Sequence, residues 1–117
     1  MAEGLANCYG SDVLHAESYG LAPAPHVPRN TIVAMREKNI DVSNHVSRRY
    51  MPMDGQVADI VVNMSDYRLP GPTPRKLVEW TIVDPYGKTL SEFQKTRDSI
   101  ERNVMALILA LRRGDIR

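Results

Sequence analysis

The chain has 117 residues, of which 43% are hydrophobic and 25% charged, and its net charge is +1. This describes one domain, 1–117, large enough for a single core and too near neutrality for the concentrated basic patch that nucleic acid or an acidic membrane surface requires. No run approaches the ~18 apolar residues of a membrane span, no basic-then-apolar leader is visible, and one cysteine excludes an internal disulfide or a cysteine-rich metal site; the expected compartment is cytoplasmic, with no cofactor.

In chain order, "MAEGLANCY" is a helix anchored by Leu5. No capping side chain precedes it, so its first amides face nothing the sequence supplies, and the stretch reads as the inside of a larger unit. A Gly10-Ser11-Asp12 turn leads to "VLHAES", a short strand over 13–18. Three prolines make "LAPAPHVP" a loop. Pro28 suits the first turn of a helix through "RNTIVAMREK", with Ile32, Val33, Met35 and Arg36 spaced to bury one face and Asn39 ending it in the left-handed region.

"IDVSNHVSRRY" is a polar, broken connection with a helical turn. "VADIVVNM", over 57–64, and "LVEWTIV", over 77–83, are apolar runs of the kind buried on both faces of a parallel sheet. The proline-rich "RLPGPTPRK" separates them as a loop, and Asp84-Pro85 closes the second. Thr89 and Glu92 form a capping-box pattern for a last helix whose buried face runs through Phe93, Ile100, Val104, Leu107 and Leu111 until Gly114 stops it. Arg112, Arg113 and Arg117 are the solvated end of that helix. The order α-β-α-β-β-α predicts a three-layer α/β fold with a mainly parallel sheet.

Few residues carry chemistry. Cys8 reads as a small buried hydrophobe; as a phosphate-cradling nucleophile it would need an arginine six positions on, where Leu14 stands. His15, His26 and His45 have no partner at metal-ligand spacing, and Ser11, Ser18, Ser43 and Ser65 lack a Gly-x-Ser-x-Gly context. No dinucleotide or Walker glycine motif is present. Asp84 stands out because it ends a strand where open α/β sheets place ligands. Partial burial beside Trp80 and Tyr86 would suit it to donating a proton. The alternative is a turn residue, since Asp-Pro is a common turn pair.

These residues together resemble the low-molecular-weight protein tyrosine phosphatases, whose fold the thioredoxin-coupled arsenate reductases share. "MAEGLAN" is similar to the helix start that follows that family's phosphate loop, "AESYG" to its second strand, and "NIDVSNHVSRR" to a Gly-Ile-Asp-x-Ser-x-His-x-Ser-Arg segment with Asn39 for glycine. "ADIVVNMSD" resembles its next strand, and "VDPYGKTLSEFQKTRDSIERNV" its Asp-Pro loop and final helix. The resemblance implies phosphomonoester hydrolysis through a cysteinyl-phosphate, with Asp84 as general acid, Tyr86 as a wall of the substrate cleft and Ser18 as a support behind the phosphate loop. The partner it implies is a phosphorylated substrate or inorganic phosphate.

The departure is as specific as the match. No Cys-x5-Arg occurs in the chain, so no nucleophile is assigned, and the family's first strand and loop have no counterpart. The chain as it stands is therefore expected to be inactive, either because Met1 is an internal methionine of a longer active phosphatase or because a loop-less relative serves as a binding or regulatory module. An unrelated α/β interaction domain is the third reading. The reductase relay needs further cysteines near the third strand, and "NMSDYRLPGP" has none, which favours the phosphatase side. Without the first strand, "VLHAES" and "VADIVVNM" lose their shared neighbour, which predicts direct re-pairing, a homodimer or a strand-donating partner.

Overall fold

The computed structural model describes residues 1–115, so Arg117 of the basic cluster lies outside the described residues. Six elements follow in order: α1 (Ala2–Tyr9), α2 (Arg29–Arg36), α3 (Pro52–Val57), β1 (Val61–Asn63), β2 (Leu77–Glu79) and α4 (Leu90–Arg113). β1 and β2 pair in parallel with Val61 opposite Leu77 and Asn63 opposite Glu79, and the helices flank this sheet, giving an α/β architecture.

The 24-residue helix α4 organises the core. Thr89 Oγ1 accepts from the Glu92 amide at its start, and Gly114 closes it at φ 72°, a left-handed conformation open to glycine without strain. Its buried face is Phe93, Arg97, Ile100, Val104 and Ile108. Leu107 and Leu111, expected there, are only half-buried, because a spacing of four carries the stripe from Val104 to Ile108. Leu5 and Ala6 of α1, Met35 of α2 and Ile40 meet this face in one cluster, and Trp80 and Ile82, just beyond β2, lean onto it. Asn39 takes φ 60° after α2, as read from the sequence, although Arg36 is exposed and Ala34 takes the buried place beside Met35.

Arg97 interrupts the apolar face and is 92% buried, since only 8% of it is exposed. Its Nη1 donates to Ala34 O at 2.9 Å and to Glu37 Oε1 at 2.6 Å, and its Nε donates to Asp98 at 2.9 Å. One guanidinium thus ties the C-terminal turn of α2 to α4, with its charge compensated on both sides.

Four expectations change. "VLHAES" forms no strand: residues 14–19 carry no regular structure, and the nearest pairing is one parallel bridge, Gly20 with Arg49. Its backbone is bonded to side chains of α1 instead, as described below. "VADIVVNM" is cut short because Val57 ends α3, which Pro52 opens at its first turn and the Asp54 carboxylate caps by accepting from the Met51 amide at 2.8 Å. Neither strand is buried on both faces: Val61, Val62, Leu77 and Val78 are half-buried and Glu79 is exposed. Direct re-pairing of 13–18 with β1 is absent among the described residues, since β1 pairs only with β2.

Gly10 follows α1 at φ −124°, accessible to any residue, yet a Cβ there would lie 2.7 Å from Ile108 Cδ1. Its role is close approach of α1 to α4. Gly10→Ala is expected to lower stability by about 1–3 kcal/mol in urea denaturation, through overpacking alone. A second contact between these regions depends on pH. Arg112 forks onto Asp12, with Nε to Oδ2 at 2.9 Å and Nη2 to Oδ1 at 2.8 Å, while Nη2 also reaches Tyr9 O. The guanidinium hydrogen bonds hold the Asp12 carboxyl below the usual carboxylate range. A carboxyl depressed on folding stabilises above its unfolded value and loses that contribution as pH falls through the folded value. The stability advantage of the wild type over Asp12→Asn should therefore be present near neutrality and disappear below pH ~4, as read from urea midpoints across that range.

Candidate functional site

Asp84 and Tyr86 lie on the turn that follows the β2 run. The Asp84 Oδ1 accepts from the Tyr86 amide at 3.0 Å, the Lys88 amide donates to Pro85 O at 2.8 Å, and Gly87 takes φ 75°. The side chain of Asp84 therefore holds its own turn. It is exposed, so the partial burial expected beside Trp80 and Tyr86 does not form, while Tyr86 is 72% exposed.

Both residues line a cavity of ≈ 780 Å³. Its other walls include Met1 and Ala2 at the start of α1, His26 and His45 from the long connections, and Tyr67 from the loop after β1. No side-chain hydrogen bond caps α1, so its first amides open near this space. The described lining contains no cysteine, lysine or arginine. The cavity can hold an apolar or aromatic group, and the basic side chains in its described lining are the imidazoles of His26 and His45.

Behind the start of α1 a closed ring of polar contacts joins Glu3, Ser18 and His45. The Ser18 amide and hydroxyl donate to Glu3 Oε1 at 2.8 and 3.1 Å. His45 Nδ1 lies 3.2 Å from Glu3 Oε2, and its Nε2 lies 3.2 Å from Ser18 Oγ. Four residues along the same helix, Asn7 repeats the device: its Oδ1 accepts from the Ala16 amide at 2.7 Å and its Nδ2 donates to Ala16 O at 2.9 Å. Positions i and i+4 share a helix face, so Glu3 and Asn7 together present a polar edge to which 16–18 is bonded as to a neighbouring strand.

Ser18 was singled out from sequence; Glu3 was not, and His45 was read as an isolated loop residue. The signal for both stood in "MAEGLAN" and "NIDVSNHVSRR", the stretches that carried the family resemblance. Cys8 is exposed, which corrects its reading as a buried hydrophobe, and it does not line the cavity. His15 is also exposed, 3.6 Å from Glu17. Among the described residues, no helix is long and apolar enough to cross a membrane.

Asn7→Ala would leave the amide and carbonyl of Ala16 without partners. The expected result is a loss of about 1–3 kcal/mol and faster hydrogen exchange at the Ala16 amide, with exchange in the α4 core changed only by the global loss.

No family model matches the chain. Among curated proteins, an arsenate reductase of Bacillus cereus (strain 03BB102) is 36% identical over 108 residues, covering 89% of this chain and 80% of that protein. A solved arsenate reductase in the phosphate binding state superposes with TM-score 0.83 at 28% identity, covering 94% of this chain and 86% of that one. A low molecular weight protein tyrosine phosphatase from T. tengcongensis shares the fold, with TM-score 0.75 at 22% identity and coverage of 92% and 86%. The sequence reading leaned to the phosphatase side, whereas these curated relatives are reductases.

Proposed function

The chain belongs to the arsenate reductase family, whose fold the low-molecular-weight protein tyrosine phosphatases share, and from that premise we propose that it is the body of a phosphomonoester hydrolase, inactive in these 117 residues for want of a Cys-x5-Arg loop. The observation that carries this reading is the placement of Asp84 and Tyr86 on the cavity that also opens to the uncapped start of α1. In that arrangement a loop thiolate supplied beside α1 would attack phosphorus, forming an S–P bond as the P–O bond breaks. Asp84 would give its proton to the departing oxygen, and water would then cleave the S–P bond to release phosphate. Tyr86 would wall the cleft, and Ser18, held by Glu3 and His45, would support the loop from behind.

The hydrolytic form of the family's chemistry is favoured over the reductive one by the segment that follows β1. Reduction of arsenate through a protein disulfide relay needs further cysteines near the third strand, where "NMSDYRLPGP" has none, while Cys8 is exposed and does not line the cavity. A second reading, a non-catalytic binding module, is supported by the edge of β1 away from β2, which pairs with no strand among the described residues. Such an edge suits a homodimer or a strand-donating partner.

The test compares the 117-residue chain with a chimera in which the first strand and Cys-x5-Arg loop of a family phosphatase are joined in frame ahead of Met1. The chain alone should release no phosphate from an aryl phosphate. The chimera should turn over, and Asp84→Asn within it should lower kcat by about 10²–10⁴-fold. Turnover by the unextended chain, or an inert but folded chimera, overturns the hydrolytic reading.

A further inference from the structure

We propose that the outward face of α3, where Met51, Met53 and Val57 lie between two exposed basic pairs, is a docking surface for an acidic amphipathic segment of a partner protein. The proposal rests on neither reading above, since no residue of α3 lines the cavity that holds Asp84. Large apolar side chains are left exposed mainly in two places. Tyr67, Val83 and Tyr86 line that cavity. Val46, Met51, Met53 and Val57 fall within 46–57 and line no cavity described here, and Leu109 stands alone on α4.

The fold turns the α3 side chains outward and holds them there. Gly55, the buried residue of α3, packs so closely on the Tyr50 hydroxyl that no Cβ would fit. Pro74 lies on the same side, its Cγ 3.4 Å from the place a Cβ would take. Met53 and Val57 stand two residues to either side of Gly55, about 200° around the helix, and so share the face opposite the buried one. They are 74% and 77% exposed. The helix itself is fixed, because Pro52 packs against Gly71 and the Asp54 carboxylate accepts from the Met51 amide at 2.8 Å.

Charge around this face is one-sided. Arg48 and Arg49 lead into α3, while Arg75 and Lys76 follow Pro74, and all four are exposed. Arg48 is anchored over the Tyr19 ring at 4.6 Å, and Arg49 Nη1 donates to Leu21 O at 3.2 Å. The carboxylates on α3 and just after it are already engaged, Asp54 in the cap and Asp59 at 3.8 Å from Arg75. In a chain of net charge +1, four cations beside one apolar face are a local excess. An apolar strip rimmed by charge marks an interaction surface, and methionine adapts its shape to what it meets. Its complement carries apolar side chains on one side and carboxylates on the other, and the basic rim steers their encounter. A membrane fits less well. α3 has six residues, about one and a half turns, and its outer face carries no leucine or aromatic ring to seat among acyl chains.

NMR titration of the 117-residue chain tests this with three short peptides of one leucine spacing, whose polar positions are all glutamate, all glutamine or all lysine. The glutamate peptide should shift the amides of 51–57 and bind at least about fivefold more tightly than the glutamine peptide, an advantage that shrinks as salt is added. Met53→Ser combined with Val57→Ser should weaken the glutamate peptide at least about fivefold, and Lys76→Glu about threefold. Leu109→Ser should leave it unchanged. All four positions are exposed, so the variants keep the fold, which the spectra themselves report. Equal affinity for the three peptides, shifts confined to other residues, or no binding overturns the proposal. So does adsorption to phosphatidylserine vesicles, or concentration-dependent dimerisation, that the Met53→Ser, Val57→Ser variant abolishes; the face would then meet a membrane or a second copy.

Discussion

A backbone segment without a strand beside it must still bond its amides and carbonyls, and in this chain side chains of α1 supply those bonds. Glu3 and Asn7 occupy one face of an eight-residue helix and stand in for a ladder along 16–18. This arrangement places His45 at the cavity wall, holds Ser18 against the start of α1 and keeps that uncapped start open. One wall of the candidate site is thus held by a helix whose side chains act as the edge of a sheet. It also explains how 13–20 stays ordered with only one bridge, Gly20 to Arg49.

The remaining order radiates from α4. Its apolar stripe receives α1 through the close approach at Gly10 and α2 through Met35, and Arg97 crosses the gap to Ala34 and Glu37. Because α1 is fixed to α4, and Trp80 and Ile82 lean on the same face, the start of α1 and the Asp84 turn are referenced to one rigid rod. Catalytic geometry of the kind proposed needs such a reference, since it depends on groups from distant parts of the chain meeting at fixed separations.

Helices α1, α2 and α4 were legible in sequence because period and end signals agree, Thr89, Asn39 and Gly114 acting as their residue types suggest, whereas the short α3 was not and took Val57 from the expected strand. The final turns of α4 were misphased because Leu107 and Leu111 are as apolar as Ile108, and only packing decides among them. Strands were less legible. A short apolar run such as "VLHAES" carries no record of its partner, and nothing local indicates that Glu3 and Asn7 will take the partner's place. Arg97 was invisible for the opposite reason, a charge inside an apolar stripe whose compensating Glu37 lies on another helix. At the site, Asp84, Tyr86 and Ser18 came from resemblance, and Asp84 also from its position at a strand end.

Cys8 gives the fold a property of a different kind. It is the single thiol of the chain, and it faces solvent on the helix that supports the site. Within these 117 residues Cys8 has no second thiol to pair with, so a disulfide between two copies of them would join the copies through this exposed position on α1.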